Sequence, residues 1–196
     1  MAIQKITSGI IQDGAVAAAD IVSVANTAIT GLIQAAQIGS ANATLVTSGT
    51  LPAARLPAGS VLQVVQGTYA TQVTNSTTTY TDTGLTATIT PRSTSSKILV
   101  FVTMNGLEKS TGNSTNSHAF KLLRDATLVS EYAQYINYTN SALALMSGHP
   151  FNYLDSPSST SALVYKVQFK NMTAASAVYV QSNSNISTIT LMEIQG

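Results

Sequence analysis

Tyr132, Tyr135 and Tyr138 recur at a spacing of three, with Asn137 and Asn140 among them. Phe151 and Tyr153 follow, and a polar stretch at 109–118 precedes them. A tyrosine offers a flat apolar face with a polar tip at little conformational cost, and an asparagine amide both donates and accepts hydrogen bonds. That chemistry suits stacking on a sugar ring and bonding to its hydroxyls. Tyr132, Tyr135, Asn137, Tyr138 and Asn140 are therefore the candidate receptor-binding residues, with Tyr153 beside them. Packing in a core or a subunit interface is the plainer role for the same side chains. On a regular strand Tyr132 and Tyr138 would share one face and Tyr135 would take the other.

Covalent chemistry has less to work with. Glycan hydrolysis needs two positioned carboxylates, and the candidates are Asp82, Glu108, Asp125, Glu131, Asp155 and Glu193. Asp82 sits in Thr-Asp-Thr-Gly and Asp125 follows Arg124 at the end of an apolar stretch, so turn capping is the expected role of both. No phosphate loop and no serine elbow occur. His118 and His149 lack metal-site spacing and are expected in loops or at strand edges, and the chain has no cysteine. The expectation is a protein that is not an enzyme, with no catalytic residue, no metal and no cofactor. Asn-x-Ser/Thr triplets at Asn42, Asn75, Asn113, Asn137, Asn171 and Asn185 are expected by chance in a chain this rich in Ser and Thr, and none is read as glycosylated.

Composition narrows the partners. Of 196 residues only 9% are charged, 44% are hydrophobic, and the net charge is +1. Nucleic acid and anionic membrane surfaces both require clustered Lys and Arg, so neither is an expected partner. No apolar run approaches the length of a membrane span, so no membrane insertion is expected. The start, Met1-Ala2-Ile3-Gln4-Lys5, leads to no continuous apolar core, so no export signal is expected.

The elements that must position the tyrosines lie in the second part of the chain. Every aromatic residue falls between Tyr69 and Tyr179, and residues 1–60 hold none. Aromatics dominate small cores, so 1–60 is not expected to fold as an independent globule, and its apolar residues need burial between chains. Ile6, Ile11, Val16 and Ile21 recur every five residues, which fits an irregular or β-type stalk better than a heptad. Over 17–38, Ile21, Ala25, Ala28, Leu32 and Ala35 also fit a narrow helical seam, while Gly31 and the β-branched residues weaken it, so a partly helical stalk stays open. Pro52 and Pro57 make a stiff connector ahead of the second part.

Residues 61–196 carry strand patterns. Residues 85–89 alternate, 97–104 are almost continuously apolar as in a strand buried on both faces, and 163–170 alternate cleanly. Val178 and Val180, then 186–194, extend the pattern, with turns expected at 80–84 and 109–116. The expected fold is mainly β, an intertwined N-terminal stalk over 1–60 followed by a C-terminal jelly-roll-like sandwich over 61–196.

Stalk, connector and cysteine-free sandwich together resemble bacteriophage fibre proteins. GTLPAARLP at 49–57 looks like a segment common near the heads of phage tail fibres, and ITSGIIQDGAVAAADI is similar to fibre-stalk repeats. The stretches at 80–102, 120–129 and 189–194 resemble a sandwich module of phage structural proteins, including those of marine phages and cyanophages. The resemblance implies a homotrimer with tumour-necrosis-factor-like heads, held in the virion and assembled in the host cytoplasm. It implies a tail fibre whose residues 1–40 contact other virion structural proteins and whose head adheres to the host surface, where a glycan would be the receptor. The alternative is a capsid decoration, head fibre or neck component that stabilises the particle without binding a receptor.

Overall fold

The computed structural model describes residues 55–196, apart from Ser147 and Ala175. Residues 1–54 of the expected stalk, with the helical seam at 17–38, the anchoring segment at 1–40 and Pro52 of the connector, lie outside the described residues.

Strand formation follows side-chain alternation. In β10 (Leu163–Asn171), Leu163, Tyr165, Val167 and Phe169 point inward while Val164, Lys166, Gln168 and Lys170 face outward, as their spacing predicts. β3 (Thr81–Ile89) and β12 (Ser187–Ile194) alternate in the same way. The other strands are β1 (Val61–Tyr69), β2 (Val73–Asn75), β4 (Lys97–Met104), β5 (Leu107–Lys109), β6 (His118–Arg124), β7 (Thr127–Ile136), β8 (Leu143–Met146), β9 (His149–Asp155) and β11 (Val178–Val180).

All pairings are antiparallel, in three four-stranded sheets ordered β1-β12-β4-β9, β3-β10-β6-β7 and β2-β11-β5-β8. The third sheet continues the first. β4 kinks through Asn105 and Gly106 into β5, and the neighbouring chain kinks through Gln181 and Ser182 between β11 and β12. Gly106 takes φ 63°, and a Cβ there would lie 2.6 Å from the Ser182 backbone nitrogen, so only glycine fits the kink. The sheets face each other as a sandwich around Leu85, Ile98, Val100, Leu122, Val167, Phe169, Ile189 and Leu191, all fully buried. Each such side chain contributes roughly 1.5–3 kcal/mol by leaving water.

Arg124, Asp155 and Tyr165 tie the layers together on the polar side of that core. The Arg124 guanidinium lies 2.5 Å from Asp155 Oδ2, the buried Tyr165 hydroxyl donates to the same oxygen at 2.7 Å, and the Ser156 amide donates to Oδ1 at 2.9 Å. These residues join β6 and β10 of one sheet to β9 of the other.

Several expectations change. Residues 80–84 are not a turn: Thr81 opens β3, and Asp82 accepts from Lys166 Nζ at 3.0 Å and Gln168 Nε2 at 2.5 Å across to β10. His118 is not in a loop or at a strand edge but fully buried in β6, while half-buried His149 opens β9. Residues 97–104 are buried on one face only. Ile98, Val100, Val102 and Met104 point inward, while Phe101 is 42% exposed. The Asp125 expectation holds: with φ 53° it closes the β6–β7 hairpin, its Oδ1 accepting the Val164 amide at 3.0 Å.

Candidate functional site

Two surfaces stand out, and strand direction sets where each lies. The run from Lys97 to Lys109 has a contour of roughly 40 Å at ~3.3 Å per residue. At its Lys97 end, Ser60 and Gln195 pair through the Gln195 amide at 2.8 Å, so the chain preceding β1 joins the sandwich there. At its Lys109 end, the loops 110–117 and 137–142 come together.

The second of these ends carries the tyrosine cluster. β7 is the edge strand of its sheet and pairs with β6 through three register shifts. Bulges of this kind concentrate at sheet edges and re-aim side chains. Tyr135 takes φ 58° and Asn137 φ 69°, conformations an aromatic side chain rarely adopts. The alternation expected for Tyr132, Tyr135 and Tyr138 therefore breaks. Tyr132 turns inward and stacks on Phe151 at 3.9 Å between ring centroids, and burial pushes its hydroxyl pKa up. Tyr135 and Tyr138 both point outward, 48% and 62% exposed, edge to face at 5.7 Å. With Thr115 they line a shallow open pocket of about 440 Å³.

The asparagines divide similarly. Asn140 is exposed beside the pocket loops, whereas Asn137 turns its amide nitrogen toward His118 Nδ1 at 3.4 Å. Tyr153, on β9, is 38% exposed and stacks on Phe151 at 6.4 Å. Tyr135, Tyr138 and Asn140 thus face solvent, while Tyr132 and Asn137 belong to the interior.

Lys109 holds this end together, and no sequence signal singles it out. Its side chain is buried, and its ammonium donates to the backbone oxygens of Asn113 at 2.8 Å, Asn137 at 3.1 Å and Thr139 at 2.5 Å. Burial lowers its pKa. One cation thereby fastens both pocket loops. Asn171 braces the same end, its Nδ2 donating to Asn116 Oδ1 and to the Ser176 carbonyl, each at 2.6 Å. His118 Nε2 donates to the Tyr179 carbonyl oxygen at 2.9 Å, and desolvation lowers its pKa to about 4.

The second surface is the solvent side of β1-β12-β4-β9. Val64 pairs with Met192, Met192 with Leu99, and Leu99 with Leu154, so one apolar row crosses all four strands. Phe101 extends it in the next row, against Thr190 and Asn152. Val64 and Leu154 are 55% and 49% exposed. Among the outward positions of these strands Lys97 is the charged one, because Glu193 and Asp155 point inward. The solvent side of β3-β10-β6-β7 is the opposite: Asp82, Lys166, Lys121 and Glu131 lie on it, and Lys121 and Lys170 lie 4.4 and 4.7 Å from the Tyr80 ring centroid.

Glu193 accepts from the Arg92 amide and from Gln63 Nε2, each at 2.6 Å, and these bonds hold its pKa below the usual carboxylate range against the effect of burial. Among the described residues no group of three His, Asp or Glu side chains could hold a metal ion. The chain matches no known family model and no curated protein sequence.

Proposed function

We propose that the chain is the fibre subunit of a bacteriophage virion, a homotrimer whose residues 1–60 form the stalk, with residues 1–40 contacting other virion proteins, and whose jelly-roll-like head adheres to the host surface. The observation that carries this reading is the apolar row Val64–Met192–Leu99–Leu154 with Phe101, on a sheet face with one peripheral charge. Obligate subunit interfaces resemble a core cut open, and among the described residues nothing covers this face. A three-fold assembly closes such a contact around one axis. The strand orders β1-β12-β4-β9 and β3-β10-β6-β7 fit a jelly roll, in which successive strands alternate between two facing sheets. Ser60, which leads into β1, and the tyrosine pocket lie at opposite ends of the sandwich, as an anchored head that presents its tip outward requires. No catalytic step is part of this reading.

Immunogold labelling of purified phage particles, made from a host infected with a phage that encodes the protein, with an antibody raised against loop 110–117, tests it. The expected result is label at fibre tips projecting from the tail. Label spread over the capsid would favour the decoration role, and purified particles lacking the protein would remove the virion assignment.

A further inference from the structure

We infer that the pocket formed by Thr115, Tyr135 and Tyr138 is a subsite for a neutral pyranose sugar. This rests on the reading of the head as an adhesive tip and names what the tip would hold. Its first support is geometry. Tyr135 and Tyr138 meet edge to face at 5.7 Å, so two rings at nearly right angles form a corner, and Thr115 closes the third side. Such a corner gives a sugar one aromatic face for its C–H surface and hydroxyl groups around the edge.

The second support is charge. No Asp, Glu, Lys or Arg occurs in 110–117, in 132–148 or in 172–177. Lys109, the cation bonded to the pocket loops, points inward to three carbonyls and is buried. Recognition of an anionic sugar calls for Arg or Lys, and a quaternary ammonium calls for a fuller aromatic cage or a carboxylate. Hydroxyls, amides and two tyrosine faces match an uncharged polyhydroxyl ring instead.

The third support is the backbone. Tyr135 is the one aromatic residue among those at positive φ in the described chain. A bulky residue in the left-handed region is strained, and such strain persists where the surroundings impose it, commonly at binding sites. The bulged β7 edge and the Lys109 brace impose it here, and the result is a ring turned out to solvent.

Titration of the full chain with methyl glucoside, methyl galactoside and N-acetylglucosamine, followed by amide NMR shifts, tests the inference; sialic acid and choline serve as charged probes. At least one neutral sugar should bind saturably with Kd of about 1–10 mM, as expected for one small ring on an open site. Binding should be unchanged by added salt. Tyr138→Ala should weaken it about tenfold or more. Tyr135→Gly should do the same while leaving the melting temperature equal or higher, because glycine accepts the left-handed backbone that tyrosine resists. Absence of saturable binding by every neutral sugar, or tighter binding of sialic acid or choline, would overturn the inference. Light scattering on the same samples separates the two readings: a trimer that binds no sugar rejects the subsite alone, and a monomer that binds sugar rejects the trimer alone.

Discussion

The Lys109 ammonium lies 3.1 Å from the Asn137 carbonyl oxygen, and through it β5 grips the segment that carries Tyr138. Because the same nitrogen reaches Asn113 and Thr139, a single side chain sets the distance between the two loops of the pocket.

Replacing Lys109 by methionine keeps the apolar stem and leaves the Asn137 and Thr139 carbonyl oxygens without this donor, while Asn113 O still accepts the Asn116 amide at 3.0 Å. At about 1 kcal/mol or more for each of the two, K109M should lose about 2 kcal/mol of stability. Urea unfolding followed by circular dichroism measures this, and hydrogen exchange should show loop 110–117 opening before the strands. An unchanged urea midpoint would show that the brace carries no weight.

Acid sensitivity should trace to His118. Its folded pKa is about 4 and its ordinary value is 6.5, so the unfolded chain takes up a proton first as pH falls. Stability is then full above about pH 6.5, declines through the window down to about pH 4, and the loss amounts to roughly 3 kcal/mol. His149, also lowered by burial, acts in the same direction. The pKa values of Asp82 and Glu193, both held low, add losses only below the ordinary carboxylate range. Melting temperatures from pH 7.5 to 4 should fall for the native chain and fall less for His118→Gln. Equal slopes for the two would assign the effect elsewhere.

The ion pair between layers should be costly to break from one side. Asp155→Asn leaves the Arg124 guanidinium, whose side chain is 20% exposed, without its counter-charge and should destabilise by about 3 kcal/mol. Tyr165→Phe removes one hydrogen bond to the same oxygen and should cost about 1–2 kcal/mol. Because both act on Asp155 Oδ2, the double variant should lose less than the sum. Additive losses in chemical denaturation would mean that the groups act independently.

How legible this was in the sequence depended on whether a local pattern or a distant partner set the outcome. The alternation at 163–170 and 85–89 gave the strands and their inward faces directly. Thr-Asp-Thr-Gly at 81–84 looked like a turn because its composition is that of turns, yet Lys166 and Gln168, more than 80 positions away, draw Asp82 into a strand pair. His118 gave no sign of burial because the Tyr179 carbonyl that receives its proton is 61 positions away. The tyrosine cluster was visible, but its division was not: parity placed Tyr132 with Tyr138, and the bulges of β7 with the left-handed Tyr135 reversed it. Lys109 was hidden for a different reason. Three backbone carbonyls bind it, and backbone groups leave no trace in residue types.

Sedimentation equilibrium of the full chain decides whether three subunits assemble. Three copies of a 20.4 kDa chain give 61.2 kDa. The native protein should show that mass over a broad concentration range. The Leu99→Asp, Phe101→Asp variant should sediment at 20.4 kDa with its β circular dichroism retained, since both side chains face outward from β4. A native chain that sediments as a stable 20.4 kDa monomer would rule out the trimer.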